Sequence, residues 1–174
     1  LNFSESTMMM PTLTIFHMVV LAAAAALLIT AAYTDANRYR IPNRICLALM
    51  GLFPLFALTA PRGVDWDQHL MVFGLVLTCG FALFMGNLAG AGDIKLLAAT
   101  GLWAGPHFIA MFLIVTAIAG GLLAVIMTIL TYVRNRAGKQ ALSLAKVPIP
   151  YGIAIAAGGL SIFGMLSYPL LFPS

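Results

Sequence analysis

The chain has 174 residues, of which 62% are hydrophobic and only 8% charged, and its mean hydropathy is +1.03. A water-soluble domain of this size cannot cover so much apolar surface, so a single-domain integral membrane protein (1-174) is expected. The net charge of +4 comes from basic residues in short connections without interleaved aromatics, which argues for a lipid bilayer with anionic headgroups as the partner and against nucleic acid.

A membrane helix needs about 20 apolar residues, so the length accommodates about six. Barrel strands would alternate apolar and polar residues, which these segments do not. The expected fold is therefore all-α, a polytopic membrane bundle of about six transmembrane helices. The polar opening LNFSEST reads as a processing remnant. The first span is expected over 11–33; it is too long for a signal-peptide core, and no basic segment precedes it. After the loop TDANRYRIPNR come a shorter run over 45–60 containing Pro54, the polar turn PRGVDWDQ and a third span over 69–89. Leu96 to Val133 is too long for one crossing at 1.5 Å per residue, and Gly105-Pro106 is the expected break, giving spans over 96–105 and 107–133. The last span is expected over 147–172.

Eight of the nine basic residues then share one side: Arg38, Arg40, Arg44, Lys95, Arg134, Arg136, Lys139 and Lys146. Only Arg62 falls opposite. The positive-inside rule makes the richer side cytoplasmic and places both termini across the membrane from it. Gly86/Gly90, Gly101/Gly105, Gly120-Gly121 and Gly158-Gly159 are spaced to let helices approach closely in lipid. Cys46 and Cys79 stand 33 residues apart in apolar segments and read as buried small hydrophobes, with neither a disulfide nor a metal site expected.

Five acidic residues remain. Glu5 lies in the opening tail, and Asp65 and Asp67 lie in a solvated loop. Asp35 follows the first span and Asp93 precedes the fourth, both at the cytoplasmic boundary. Taken singly, each has a plain explanation. Asp93 suits a helix N-terminus, while Asp35, against its own helix dipole, needs only water. Together they form the arrangement of aspartic proteolysis, in which two carboxyls share one proton and activate a water without metal or cofactor. Paired acids also serve proton-coupled transporters, which hold them near mid-membrane. A non-catalytic subunit of a secretion assembly would need neither acid.

The motif GAGDIK at 90–95 resembles the GxGDxK motif of the type IV prepilin peptidases, membrane aspartyl proteases of the GxGD group. DANRYRIPN at 35–43 is similar to the segment around that family's first aspartate, and PIPYGIAIAAG at 148–158 to its C-terminal Pro-Tyr-Gly span. The three blocks occur in the family's order across nearly the whole chain. The resemblance implies an endopeptidase of the inner (cytoplasmic) membrane that removes the leader of prepilins or pseudopilins after a glycine, on the cytoplasmic side. Asp35 and Asp93 carry over as the catalytic pair and Gly90 and Gly92 as motif glycines. Lys95 also matches, as a contact for a substrate carboxylate or an interfacial pin. Pro150, Tyr151 and Gly152 are expected to border the substrate groove. The 11-residue loop from Thr34 to Arg44 has no cysteine, unlike the zinc-binding loop of the larger members. That argues against N-methyltransferase activity and for likeness to the short peptidases of tight-adherence (Flp-type) pili, with an archaeal preflagellin peptidase as the alternative.

Among single residues, His17 reads as a hydrogen-bonded interior histidine, and Asn87 as an interhelical amide or an orienter of a carboxyl. Trp66, Trp103 and Tyr168 are expected at an interface.

Overall fold

The computed structural model describes residues 3–60, 63–136 and 149–171, which form five helices and no strand. They are α1 (Phe3–Arg38), α2 (Asn43–Thr59), α3 (Trp66–Met85), α4 (Ala91–Arg136) and α5 (Tyr151–Leu171). Three stretches are long and apolar enough to cross a membrane, Leu13–Arg38, Trp66–Met85 and Ala91–Arg136, while Asn43–Thr59 and Tyr151–Ser167 are shorter apolar helices. Leucine, isoleucine, valine and methionine side chains stand exposed along the outside of the bundle, a periphery that fits lipid rather than water.

The helices outrun or fall short of the apolar runs at several ends, because hydrophobicity marks the buried stretch and capping marks the helix end. Past Tyr33, α1 continues to Arg38, with Asn37 Nδ2 donating to the Tyr33 carbonyl at 2.8 Å. It closes at Tyr39, whose φ of 49° is left-handed and whose N–H donates to the Asp35 carbonyl at 2.8 Å. A left-handed cap suits glycine or asparagine; most other residues pay roughly 1–2 kcal/mol there. The end of α3 comes at Met85, before Ala89, in a Schellman cap: Leu88 N–H donates to the Leu83 carbonyl and Asn87 N–H to that of Phe84, with Asn87 at φ 56°. Asn87 is thus a turn residue, exposed, and its backbone conformation rather than an amide contact accounts for it.

The hydrogen-bonding pattern of α4 begins at Ala91, not Leu96, and breaks at Gly105, where φ is 56° and ψ is −173°. Pro106 has no N–H to offer the Leu102 carbonyl four residues earlier. That orphaned oxygen is taken instead by His69 Nδ1 at 2.7 Å, and since a carbonyl only accepts, Nδ1 carries the proton. The imidazole lies so close over Gly105 that any Cβ would strike the ring. Beyond the break the chain doubles back: Ile109 lies 3.6 Å from the Cβ position of Gly101, and Gly120 meets Tyr151 at the start of α5.

The segment before the break is the centre of the molecule. Leu96 and residues 98–105 are buried, which explains why this run is apolar all round its circumference. Trp103, expected at an interface, is instead fully buried. Its ring meets Phe53, Phe56 and Phe163 at 5.8, 5.1 and 5.2 Å, and its Nε1 donates to the Leu49 carbonyl at 3.1 Å. The indole found a partner inside the bundle, which removes its reason to seek the interface. Trp66 is partly exposed, edge-on to Phe53; the Tyr168 side chain lies outside the described residues. Cys46 is buried as expected, but Cys79 is exposed, on the outer face of the peripheral helix α3. Gly158 and Gly159 let α5 wedge between its neighbours, one against Phe112 and Thr116, the other against Leu28 and Thr100.

The histidine clasp is directly testable. His69→Ala strands the Leu102 carbonyl in an apolar surround and is expected to cost about 1–3 kcal/mol. Thermal unfolding of the detergent-solubilised protein measures this, and an unchanged melting temperature would remove the clasp from the account.

Candidate active site

Asp35 and Asp93 line one cavity of about 340 Å³, together with Tyr39, Arg40, Ile41, Gly90, Ala91, Gly92 and Ile149. Three separate pieces of chain build it: the end of α1 with the connection to α2, the start of α4, and Ile149 just ahead of α5. The negative charge of Asp35 is felt at Asp93.

Each carboxyl is held by the backbone at the start of a helix that lacks a polar residue of its own in the capping position. Before α5 stands Pro150, with no side-chain acceptor, and the free N–H of Gly152 donates to Asp35 Oδ2 at 2.7 Å. Asp35 therefore caps α5 from another helix, across 117 residues of chain. Its position near the C-terminal end of α1 is unfavourable to its own helix dipole and favourable to that of α5. Before α4 stands Gly90, and Asp93, in the first turn, reaches back so that the Gly90 N–H donates to it. Asp93 thus lies inside the first turn rather than ahead of the helix. Asp35 is 5% exposed, so no bulk-water account of it holds.

The glycines are explained by these carboxyls. A Cβ on Gly152 would sit 2.9 Å from Asp35 Cβ and Oδ2, and one on Gly90 would sit 2.9 Å from Asp93 Oδ2. Gly92 packs on Ile41, 3.4 Å from Cβ position to Cβ, bringing the α1–α2 connection against the start of α4. Lys95 does not line the cavity. It points across to α2, where its Nζ donates to Asn43 Oδ1 at 3.2 Å. Of the two roles expected for it, the pin fits this position. Pro150 is fully buried and Tyr151 is partly exposed against Gly120; neither lines the cavity, although their neighbours Ile149 and Gly152 meet the site.

Tyr39, Arg40, Ile41 and Ile149 are cavity residues that sequence reasoning missed. The first three lie within the quoted DANRYRIPN block, and the spacing of Asp35 from Ile41-Pro42 held the only available signal. A second cavity, of about 820 Å³, is lined by all three histidines, His17, His69 and His107, with Asp65, Trp103 and Phe108. His17 Nδ1 bonds Thr59 Oγ1 at 3.1 Å, the interior partner expected for it. Among the described residues no three His, Cys, Asp or Glu side chains are placed to hold a metal ion.

The arrangement is two acids, fixed by backbone donors, in one small cavity where three helix ends converge. No curated protein and no solved structure matches the chain. The model of the type IV leader peptidase family matches residues 22–125, a stretch that contains Asp35, Asp93 with the glycines that precede it, and the buried arm of α4. The chain belongs to the type IV leader peptidase family.

Proposed function

We propose that this leader peptidase is of the aspartic type and that Asp35 and Asp93 are its catalytic pair. The observation that carries the reading is the shared cavity, which both acids line, each anchored by one backbone N–H and close enough for the charge of one to act on the other. Two carboxyls so placed do not both ionise readily, and the pair holds one proton between them. The ionised member takes a proton from water, which attacks the scissile carbonyl; the protonated member donates to the carbonyl oxygen. The roles then reverse to protonate the leaving amine. Gly152 and Gly90 contribute by keeping the carboxyls immobile, so that little reorganisation is needed at the moment of reaction.

The substrate we propose is a type IV prepilin or pseudopilin, cut on the cytoplasmic side of the inner membrane. With the six spans expected from the sequence, eight of nine basic residues would share the side of the two acids, and the short α1–α2 connection favours a Flp-type system without methyltransferase activity. A preflagellin is the alternative substrate. A proton-coupled transporter is disfavoured because the acids stand at helix ends, not at mid-helix.

Asparagine keeps the oxygen that accepts the capping N–H and removes the acid, so Asp→Asn separates the two roles of each residue. Asp35→Asn and Asp93→Asn are each expected to lower leader removal by at least about 10³-fold, with melting shifted by no more than about 1 kcal/mol. Co-expression with a Flp-type prepilin, read by leader loss on a gel, measures the first quantity. Cleavage by either variant at the wild-type rate would sink the aspartic mechanism. Chelating agents are expected to leave the wild-type rate unchanged.

Gly152→Ala tests the anchoring. Its Cβ would force the Asp35 carboxyl aside, and a displacement on the order of 1 Å is worth about 10²-fold in rate. Gly164→Ala, at a position with open space around it, is the control expected to cleave normally. Equal rates for the two alanine variants would show that the anchor does not matter.

A further inference from the structure

Tyr39 stands out on three counts. It is one of two non-glycine residues with left-handed φ among those described, and the other, Asn87, is of a type that adopts this region readily. An aromatic residue does not. Its ring is half exposed and lines the cavity that holds Asp35 and Asp93, and its hydroxyl makes no hydrogen bond to any described residue. As a helix cap alone, this position would be better filled by glycine or asparagine. Backbone strain retained beside a reactive pair points to use of the side chain.

We infer that Tyr39 is a substrate-binding residue whose ring forms the wall against which the extended peptide lies as it enters the dyad. This rests on the aspartic reading above. The same cavity is also lined by Gly90, Ala91 and Gly92, whose small size leaves room in it for a peptide backbone. Extended peptide offers flat amide planes and few side-chain anchors, and a rigid aromatic surface with two rotatable bonds supplies contact area at small entropic cost. The ring does not touch the reacting atoms, so its contribution is equal in ground state and transition state and appears in KM.

The experiment uses the full-length protein in detergent or proteoliposomes with a purified Flp-type prepilin, and compares wild type, Tyr39→Asn, Tyr39→Phe, Asp35→Asn and Asp93→Asn. Asparagine suits the left-handed cap and lacks the ring. Tyr39→Asn is expected to melt at or above the wild-type temperature, to raise KM roughly tenfold and to leave kcat within about twofold. Tyr39→Phe keeps the ring and is expected to hold KM within about twofold of wild type. An unchanged KM in the asparagine variant would overturn the inference, as would a lowered melting temperature, which would assign the tyrosine to the fold. A KM raised in the phenylalanine variant as much as in the asparagine variant would overturn the ring contact. The aspartate variants keep the two claims apart. If they are inactive and Tyr39→Asn binds normally, only the tyrosine inference fails; if they cleave, the dyad fails and the inference with it.

Discussion

The hydrogen bond from the Gly152 N–H to Asp35 is the constraint on which the rest of the site depends. It joins residues 117 positions apart and ties the start of α5 to the end of α1. Neither partner has a local alternative: Pro150 offers α5 no side-chain cap, and Asp35 sits at the negative end of its own helix. In an apolar surround an unpaired N–H and an unpaired carboxylate are each costly, so the two are held together by what each would lose apart. The consequence extends down α5, whose glycines at 158 and 159 meet α4 and α1 only in this register.

The second acid is positioned by burial. The arm of α4 that carries Asp93 continues into the most enclosed segment of the molecule, with Leu96, Ala98, Ala99 and Trp103 fully buried. Such a segment cannot rotate without exposing apolar side chains to the wrong neighbours or leaving voids, and cavities in a packed interior are costly. Its far end is clasped by His69 at the Gly105-Pro106 break, and its near end by Ile41 on Gly92 and Asn43 on Lys95. Asp93 therefore projects from a rod pinned at both ends, and the geometry of the pair is set by rigid elements instead of by loops.

How much of this was legible in the sequence depended on range. The all-helical class, the suspect acids and the Gly105-Pro106 break were visible because apolar composition, rare charges in apolar surroundings and a glycine-proline pair act locally. Capping across helices was not: nothing near Asp35 in the chain names Gly152 as its partner. Trp103 was misplaced for a related reason, since its partner is the Leu49 carbonyl of another helix and the preference of free indoles for interfaces lapses once the N–H is satisfied inside. The ends of α1, α3 and α4 were missed because hydropathy reports where side chains avoid water, whereas the ends are decided by caps such as Tyr39 and Asn87. Tyr39 itself was passed over because a conformation, not a composition, makes it unusual.

The family match ends at residue 125, before α5, yet α5 supplies the backbone donor that fixes one of the two acids. Both carboxyls and both glycines of the GAGD stretch lie within the matched region, so the chemical groups and the element that immobilises Asp35 come from different parts of the chain. Each carboxyl accepts one backbone N–H, Asp35 from Gly152 and Asp93 from Gly90, and both residues line the same cavity. Capping and the proposed catalysis are thereby compatible in the same side chain: the bond that satisfies a helix terminus also restricts the rotation of a carboxyl that proton sharing would need held still. A leader peptidase of this size can fix two acids in one cavity because the donors that orient them are backbone groups that the fold had to satisfy in any case.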